Sequence, residues 1–142
     1  MIMISTRGRY ALRVLIDLAE HDAGGYIPMK EVAARQGVSL KYLERILPLL
    51  TAGGIVEGVH GKGGGYRLKK KPEECTVGEV LRLTEGTLAP VECLRADAEA
   101  CERCDECRTL PLWRGFQEMT DAYFDGVTIR DLATKAAALP PQ

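Results

Sequence analysis

Four of the five cysteines in this 142-residue chain fall within fifteen residues, at Cys93, Cys101, Cys104 and Cys107, with Cys75 apart. Cys101-x-x-Cys104-x-x-Cys107 has the spacing of three successive ligands in an iron–sulfur run, but Leu110-Pro111 stands where a fourth cysteine and its proline would fall. Cys93 lies eight residues before Cys101 and can fold back, giving four thiolates in one loop. Such a set suits an iron–sulfur cluster or tetrahedral zinc, and spacing does not choose between them. Cys75, beside an expected helix start, reads as an inert core filler. The apolar N-terminus is interrupted by Arg7, Arg9 and Arg13 and has no small-residue cleavage site, so neither a signal peptide nor a membrane span is expected. The thiols are therefore expected in a reducing cytoplasm, where clustered cysteines bind metal or do redox chemistry. No nucleophile–base pair accompanies His21 and His60, so the chain is read as a non-enzyme.

The elements that must carry this loop show a charge division. Residues 1–72 hold 12 Lys and Arg against 6 Asp and Glu, whereas residues 73–142 hold 7 against 14. A basic half facing a polyanion and an acidic half facing elsewhere is the simplest reading. In the basic half, Tyr10, Ala11, Val14, Leu15, Leu18 and Ala19 form one apolar stripe on a helix ended by Gly24-Gly25. Pro28 opens a short second helix that stops at Gln36-Gly37, and Ser39 is the N-cap of a third. This is the form of a helix-turn-helix, whose second member, with its cap Ser39, presents Lys41, Tyr42 and Arg45 to DNA in a major groove. Pro48 is expected to kink or end that helix. Ile55-Val56 and Tyr66-Arg67-Leu68 flank the glycine-rich tip His60–Gly65, giving a β-hairpin wing in which Lys62 and Arg67 hold phosphates. No Walker-type ending and no helix start follow those glycines, which excludes a nucleotide-binding loop.

In the acidic half, Thr76 and Glu79 form a capping-box pattern for a fourth helix. Thr109 is expected to cap a long helix with Pro111 in its first turn, and Leu112, Trp113, Phe116, Met119, Thr120, Tyr123, Phe124 and Val127 mark its broad face. That face exceeds the needs of the small N-terminal unit, so burial against a second copy is expected; packing on the first helix is the alternative. Thr128-x-x-Asp131 starts a last short helix. The expected fold is mainly α with a small β-hairpin wing. Residues 1–72 form a winged helix-turn-helix DNA-binding domain, and residues 73–142 a cysteine-rich sensor loop with a dimerisation helix.

Several motifs together resemble the Rrf2 family of bacterial winged-helix repressors, over nearly the whole chain to about Asp131. They are Arg7-Gly8-Arg9-Tyr10-Ala11-Leu12, Ser39-Leu40-Lys41-Tyr42-Leu43-Glu44, Gly61-Lys62-Gly63-Gly64-Gly65-Tyr66, Val77-Gly78-Glu79-Val80, and Cys107 followed by Trp113. The resemblance implies a homodimer crossing through the long C-terminal helix and binding a pseudo-palindromic double-stranded DNA operator. Cluster-binding members carry three loop cysteines, which map onto Cys93, Cys101 and Cys107. One branch adds a histidine three residues after the last cysteine, where this chain has Leu110; another uses an N-terminal aspartate, where this chain has Arg7-Gly8-Arg9. Cys104 is the natural substitute, with a carboxylate or a residue of the partner chain as alternatives. His60 stands on the wing where arginine is usual in the family, and it is expected to face a narrow, electronegative minor groove as a DNA contact. The leading expectation is a regulator of iron–sulfur or sulfur metabolism whose operator affinity depends on a [2Fe–2S] cluster, with [4Fe–4S] second. Its rivals are a zinc-stabilised or thiol-based redox repressor and a cluster carrier that does not bind DNA.

Overall fold

The computed structural model describes residues 4–99, 103 and 105–133. It contains α1 (Thr6–Glu20), α2 (Met29–Gln36), α3 (Leu40–Ala52), β1 (Val56–Val59), β2 (Gly65–Leu68), α4 (Val77–Glu85), α5 (Leu110–Asp125) and α6 (Ile129–Ala133), with a 3-10 turn at Glu92–Leu94. This is the mainly helical architecture with one hairpin that the pattern implies. Helix α1 starts at Ser5, whose hydroxyl accepts the Gly8 N–H at 3.3 Å. Its apolar stripe is buried as expected, with Ala11, Val14, Leu15 and Leu18 at most 1% exposed. It ends at Glu20, short of the Gly24-Gly25 pair. The α2–α3 turn passes through Gly37 at φ +64°, a conformation that favours glycine, and Ser39 then caps α3 by accepting the Tyr42 N–H at 3.1 Å.

Pro48 does not end α3. The helix continues to Ala52 because Leu47 and Leu50, on either side of the proline, are both buried in the core. Tertiary burial outweighs the lost backbone donor. In the hairpin, Val56 pairs with Leu68, Glu57 with Arg67, Gly58 with Tyr66 and Val59 with Gly65. The wing is anchored to the α1–α2 connection by Ile27 N–H to Tyr66 O at 2.8 Å and Tyr66 N–H to Ile27 O at 2.9 Å. Gly65 makes that approach feasible: its φ is +146°, and a Cβ there would lie 2.1 Å from the Ile27 carbonyl oxygen.

Residue 72 marks the change in charge, yet the core runs through it. Val14, Leu15 and Leu18 of α1, Leu43, Ile46 and Leu50 of α3, and Cys75, Val80 and Ile129 from the second half share one cluster. Helix α4 is capped by Thr76, whose hydroxyl accepts the Glu79 N–H at 3.1 Å. The reciprocal half of that box is absent: the Glu79 carboxylate accepts both its bonds from Lys70 Nζ at 2.8 Å. At α6 the box is complete, with Thr128 N–H to Asp131 Oδ2 at 3.0 Å and Asp131 N–H to Thr128 Oγ1 at 3.1 Å. A second apolar cluster of Val77, Leu81, Leu88 and Val127 receives Tyr123 and Phe124 from α5.

One buried carboxylate ties the helix-turn-helix to α1. Asp17, 2% exposed, accepts from Arg35 Nε at 3.0 Å, from the Arg35 terminal nitrogen at 2.7 Å and from Gln36 Nε2 at 2.9 Å. Burial by itself would raise this carboxyl, but the Arg35 and Gln36 hydrogen bonds and the Arg35 charge outweigh it and hold the group below its ordinary value. Asp17→Ala is expected to cost about 2–3 kcal/mol in urea denaturation at neutral pH, because it strands a guanidinium built to pair. The depressed folded value means that the stabilisation is complete above the ordinary carboxylate value of 3.8 and is lost as pH falls through the folded value. The acid limb of the wild-type stability curve should therefore flatten in Asp17→Asn. Gly65→Ala is expected to loosen the wing, lowering stability by roughly 2 kcal/mol and accelerating hydrogen exchange at the Tyr66 amide.

Candidate nucleic-acid interface and cysteine loop

The sequence-derived DNA residues divide by environment. On α3, Ser39, Lys41 and Arg45 are exposed, whereas Tyr42 is half-buried and meets Tyr10 edge-on at 5.5 Å between ring centroids. Arg13 stands 5.0 Å over the Tyr10 ring while its Nε donates to Gln36 Oε1 at 3.1 Å. It also donates to the Gln36 carbonyl. Tyr42 is thus part of the packing that sets the angle of α3 as well as part of its outer surface. The Ser39 hydroxyl is already occupied as the helix cap.

At the wing tip, His60 and Lys62 are exposed. Arg67 is turned inward: its Nε donates to Glu57 Oε1 at 2.8 Å, a terminal nitrogen reaches Gly24 O at 3.4 Å, and the guanidinium lies 4.4 Å from the Tyr26 ring. Glu57 is the residue opposite Arg67 in the hairpin register, and opposite charges across a ladder pair. Other exposed cations lie on the basic half, among them Arg7 at the start of α1, Lys30 on α2, and Lys69 and Lys71 after β2. The Lys69-Lys70-Lys71 run was the available signal for the last two.

The loop after α4 carries the thiols. Cys93 is exposed on the 3-10 turn Glu92–Leu94, and Cys107 lies three residues before α5. Cys101 and Cys104 lie outside the described residues. Thr109 was expected to cap α5 with its side chain but does not: its backbone is helical at φ -94°, ψ -12°, with no capping hydrogen bond. Its hydroxyl instead lies 3.4 Å from Cys107 Sγ. That contact, with the Thr109 and Leu110 backbone N–H groups, holds the Cys107 thiol below its ordinary value. Cys75 is the opposite case. It is 1% exposed, and burial, followed by the Glu79 charge, pushes its thiol up to about 11. Cys93, Cys107 and Cys75 are all free thiols. Among the described residues no three His, Cys, Asp or Glu side chains converge as a metal-holding group. In donor chemistry Cys107 suits a thiolate ligand and Cys75 does not.

Beyond the loop, α5 leans on α4 through Arg82, which donates to Asp125 at 2.8 and 3.0 Å and to Asp121 at 3.2 Å. Its outer face is bare. Leu112 is 62% exposed, Phe116 42% and Met119 72%, at the i, i+4, i+7 spacing of one helical stripe. Among the described residues no helix is long and apolar enough to cross a membrane.

Comparison with known proteins agrees with this arrangement. Residues 4–135 match the family model described as "Rrf2: Iron-dependent Transcriptional regulator". The HTH-type transcriptional regulator IscR of Aliivibrio salmonicida is 35% identical over 129 residues, covering 91% of this chain and 76% of that one. Its namesake from Serratia proteamaculans is 33% identical over 136 residues, covering 96% and 82%. Among solved structures, CymR, described as the global cysteine regulator of B. subtilis, superposes with a TM-score of 0.76 at 33% identity, covering 96% of this chain and 99% of that one. T. potens IscR gives 0.73 at 28%, covering 99% and 93%. The family model spans all of the described residues, and the chain belongs to the Rrf2 family of transcriptional regulators.

Proposed function

We propose that the protein is a DNA-binding regulator, acting as a homodimer in the cytoplasm, whose operator affinity is set by an iron–sulfur cluster held in the loop between α4 and α5. The observation that carries this reading is the continuity of the parts. The loop that holds Cys93 and Cys107 runs directly into α5, and α5 presents a bare apolar stripe facing away from the body. In the DNA reading, the N-terminal turn of α3 brings Ser39 and Lys41 to base edges, with Tyr42 and Arg45 beside them. His60 and Lys62 meet the backbone from the wing, and Arg67 joins them by exchanging Glu57 for a phosphate. The proposed ligands are Cys93, Cys101 and Cys107, with Cys104 as the fourth, and the cluster type is [2Fe–2S]. When bound, such a cluster supplies an oxidisable link between thiolates. The chain's own contribution is to hold the Cys107 thiol below its ordinary value at the head of α5 and to keep Cys75 buried, out of the donor set.

A thiol-based switch is the second reading, favoured by a specific observation. The Cys107 thiol is held below its ordinary value beside an exposed loop, and CymR proteins, including an oxidised form from Staphylococcus aureus with a TM-score of 0.73 at 31% identity over 96% of this chain and 99% of that one, share the fold. Absorption and iron content of protein purified without oxygen separate the two. The cluster reading expects a coloured, iron-containing protein that loses its chromophore in Cys93→Ala, Cys101→Ala and Cys107→Ala but keeps it in Cys75→Ala. A colourless protein whose DNA affinity changes with peroxide would establish the thiol reading instead. The dimer is tested separately: Met119→Asp is expected to shift the protein to a monomer in sedimentation velocity, because the charge would sit on the most exposed residue of the shared stripe.

A further inference from the structure

The arginines of the basic half are not equally engaged. Arg9 bonds Thr6 Oγ1 at 3.0 Å, Arg13 bonds Gln36, Arg35 bonds Asp17 and Arg67 bonds Glu57. Among the described residues Arg7 and Arg45 have no such partner. Both line a single cleft of about 560 Å³ between the first turn of α1 and the outer side of α3, together with Thr6, Tyr42 and Pro48. None of the lining residues is acidic. The carboxylate next to the cleft, Glu85, touches lining residue Ser5 and is already used by it, accepting the Ser5 N–H at 3.0 Å and its hydroxyl at 2.7 Å. That contact fixes the first turn of α1 and leaves both guanidiniums uncompensated. Like charges facing one space repel, and an external anion converts that repulsion into two charge-assisted interactions.

Arg45 lies one helical turn beyond Lys41 on α3, so the cleft borders the part of that helix that would enter the groove. From these observations we infer that Arg7 and Arg45 clamp a DNA backbone phosphate beside the groove read by α3. This rests on the DNA-binding reading and extends it. Helix α1 becomes a contact in its own right alongside α3 and the wing, and Arg45 positions the duplex instead of reading a base. A clamp of this kind carries no sequence information and binds all duplexes alike.

The test is a salt series with the full chain and a fluorescein-labelled random-sequence duplex, read by anisotropy. Arg7→Ala and Arg45→Ala are each expected to reduce the slope of log affinity against log salt by about one and to weaken binding by about tenfold at roughly 0.1 M salt. Arg45→Lys, which keeps the charge, is expected to keep the slope. Both alanine variants alter exposed side chains, and unchanged thermal melts would show that they fold. If both retain the wild-type slope while Lys62→Ala lowers it, the DNA reading stands and the clamp is overturned. Wild-type protein that binds no duplex overturns both. The cleft is also large enough for a small organic anion. Inorganic phosphate and citrate titrated into the free protein form the second arm. Saturable binding that is lost in Arg7→Ala and Arg45→Ala, with DNA salt slopes unchanged, would assign the cleft to a small anion and overturn the phosphate clamp.

Discussion

Helix α1 is walled in on its apolar side by most of the other elements, and the rest of the molecule is arranged around that constraint. It packs against α2, α3 and β2 from the first half and against α4 and α6 from the second. Val14, Leu15 and Leu18 are effectively removed from water, at about 1.5–3 kcal/mol for each such side chain. Because the same helix carries Asp17, the direction of the helix-turn-helix is set by a carboxylate that cannot move without dragging the core. Tyr10, on the flank of α1, then supports Tyr42 at the root of α3. The orientation of the recognition element is inherited from α1, not chosen by the turn at Gly37 alone.

The electrostatics follow the same division of labour. Cations that brace the structure are matched: Arg35 with Asp17, Arg67 with Glu57, Lys70 with Glu79, Arg82 with Asp121 and Asp125. Lys70 and Glu79 join the end of the wing to the first turn of α4, so the basic and acidic halves are stitched where their charges meet. Among the described residues, the other cations of the basic half have no carboxylate partner and lie along α1, α2 and α3, at the wing tip and after β2. A surface of that kind attracts polyanions.

Local signals were legible in the sequence and long-range ones were not. Ser39, Thr76 and Thr128 announce helix starts through bonds to residues three positions away, and the Gly37 turn and the hairpin need only neighbouring residues. The Asp17–Arg35 pair spans 18 positions and the Ser5–Glu85 bond 80, so each depends on which helices meet, which no local pattern encodes. Pro48 was misleading because the burial of its neighbours is a tertiary fact. Thr109 was misleading because a thiol two residues back occupies the hydroxyl that a capping pattern assigns to the backbone. Arg67 was readable only through the register that sets Glu57 opposite it. In the cysteine loop, spacing identified the residue types, and the fold added which thiol is buried and which lies at the head of a helix.

Cys75, Val80 and Ile129 sit in the same cluster as the helices of the DNA-binding half, and Ile129 N–H bonds the Cys75 carbonyl at 2.9 Å. Cutting the chain near residue 72 would leave α1 with one wall of its pocket missing. The first half is therefore not a portable module in the way that linker-joined domains can be, because part of its core is supplied by residues beyond the change in charge.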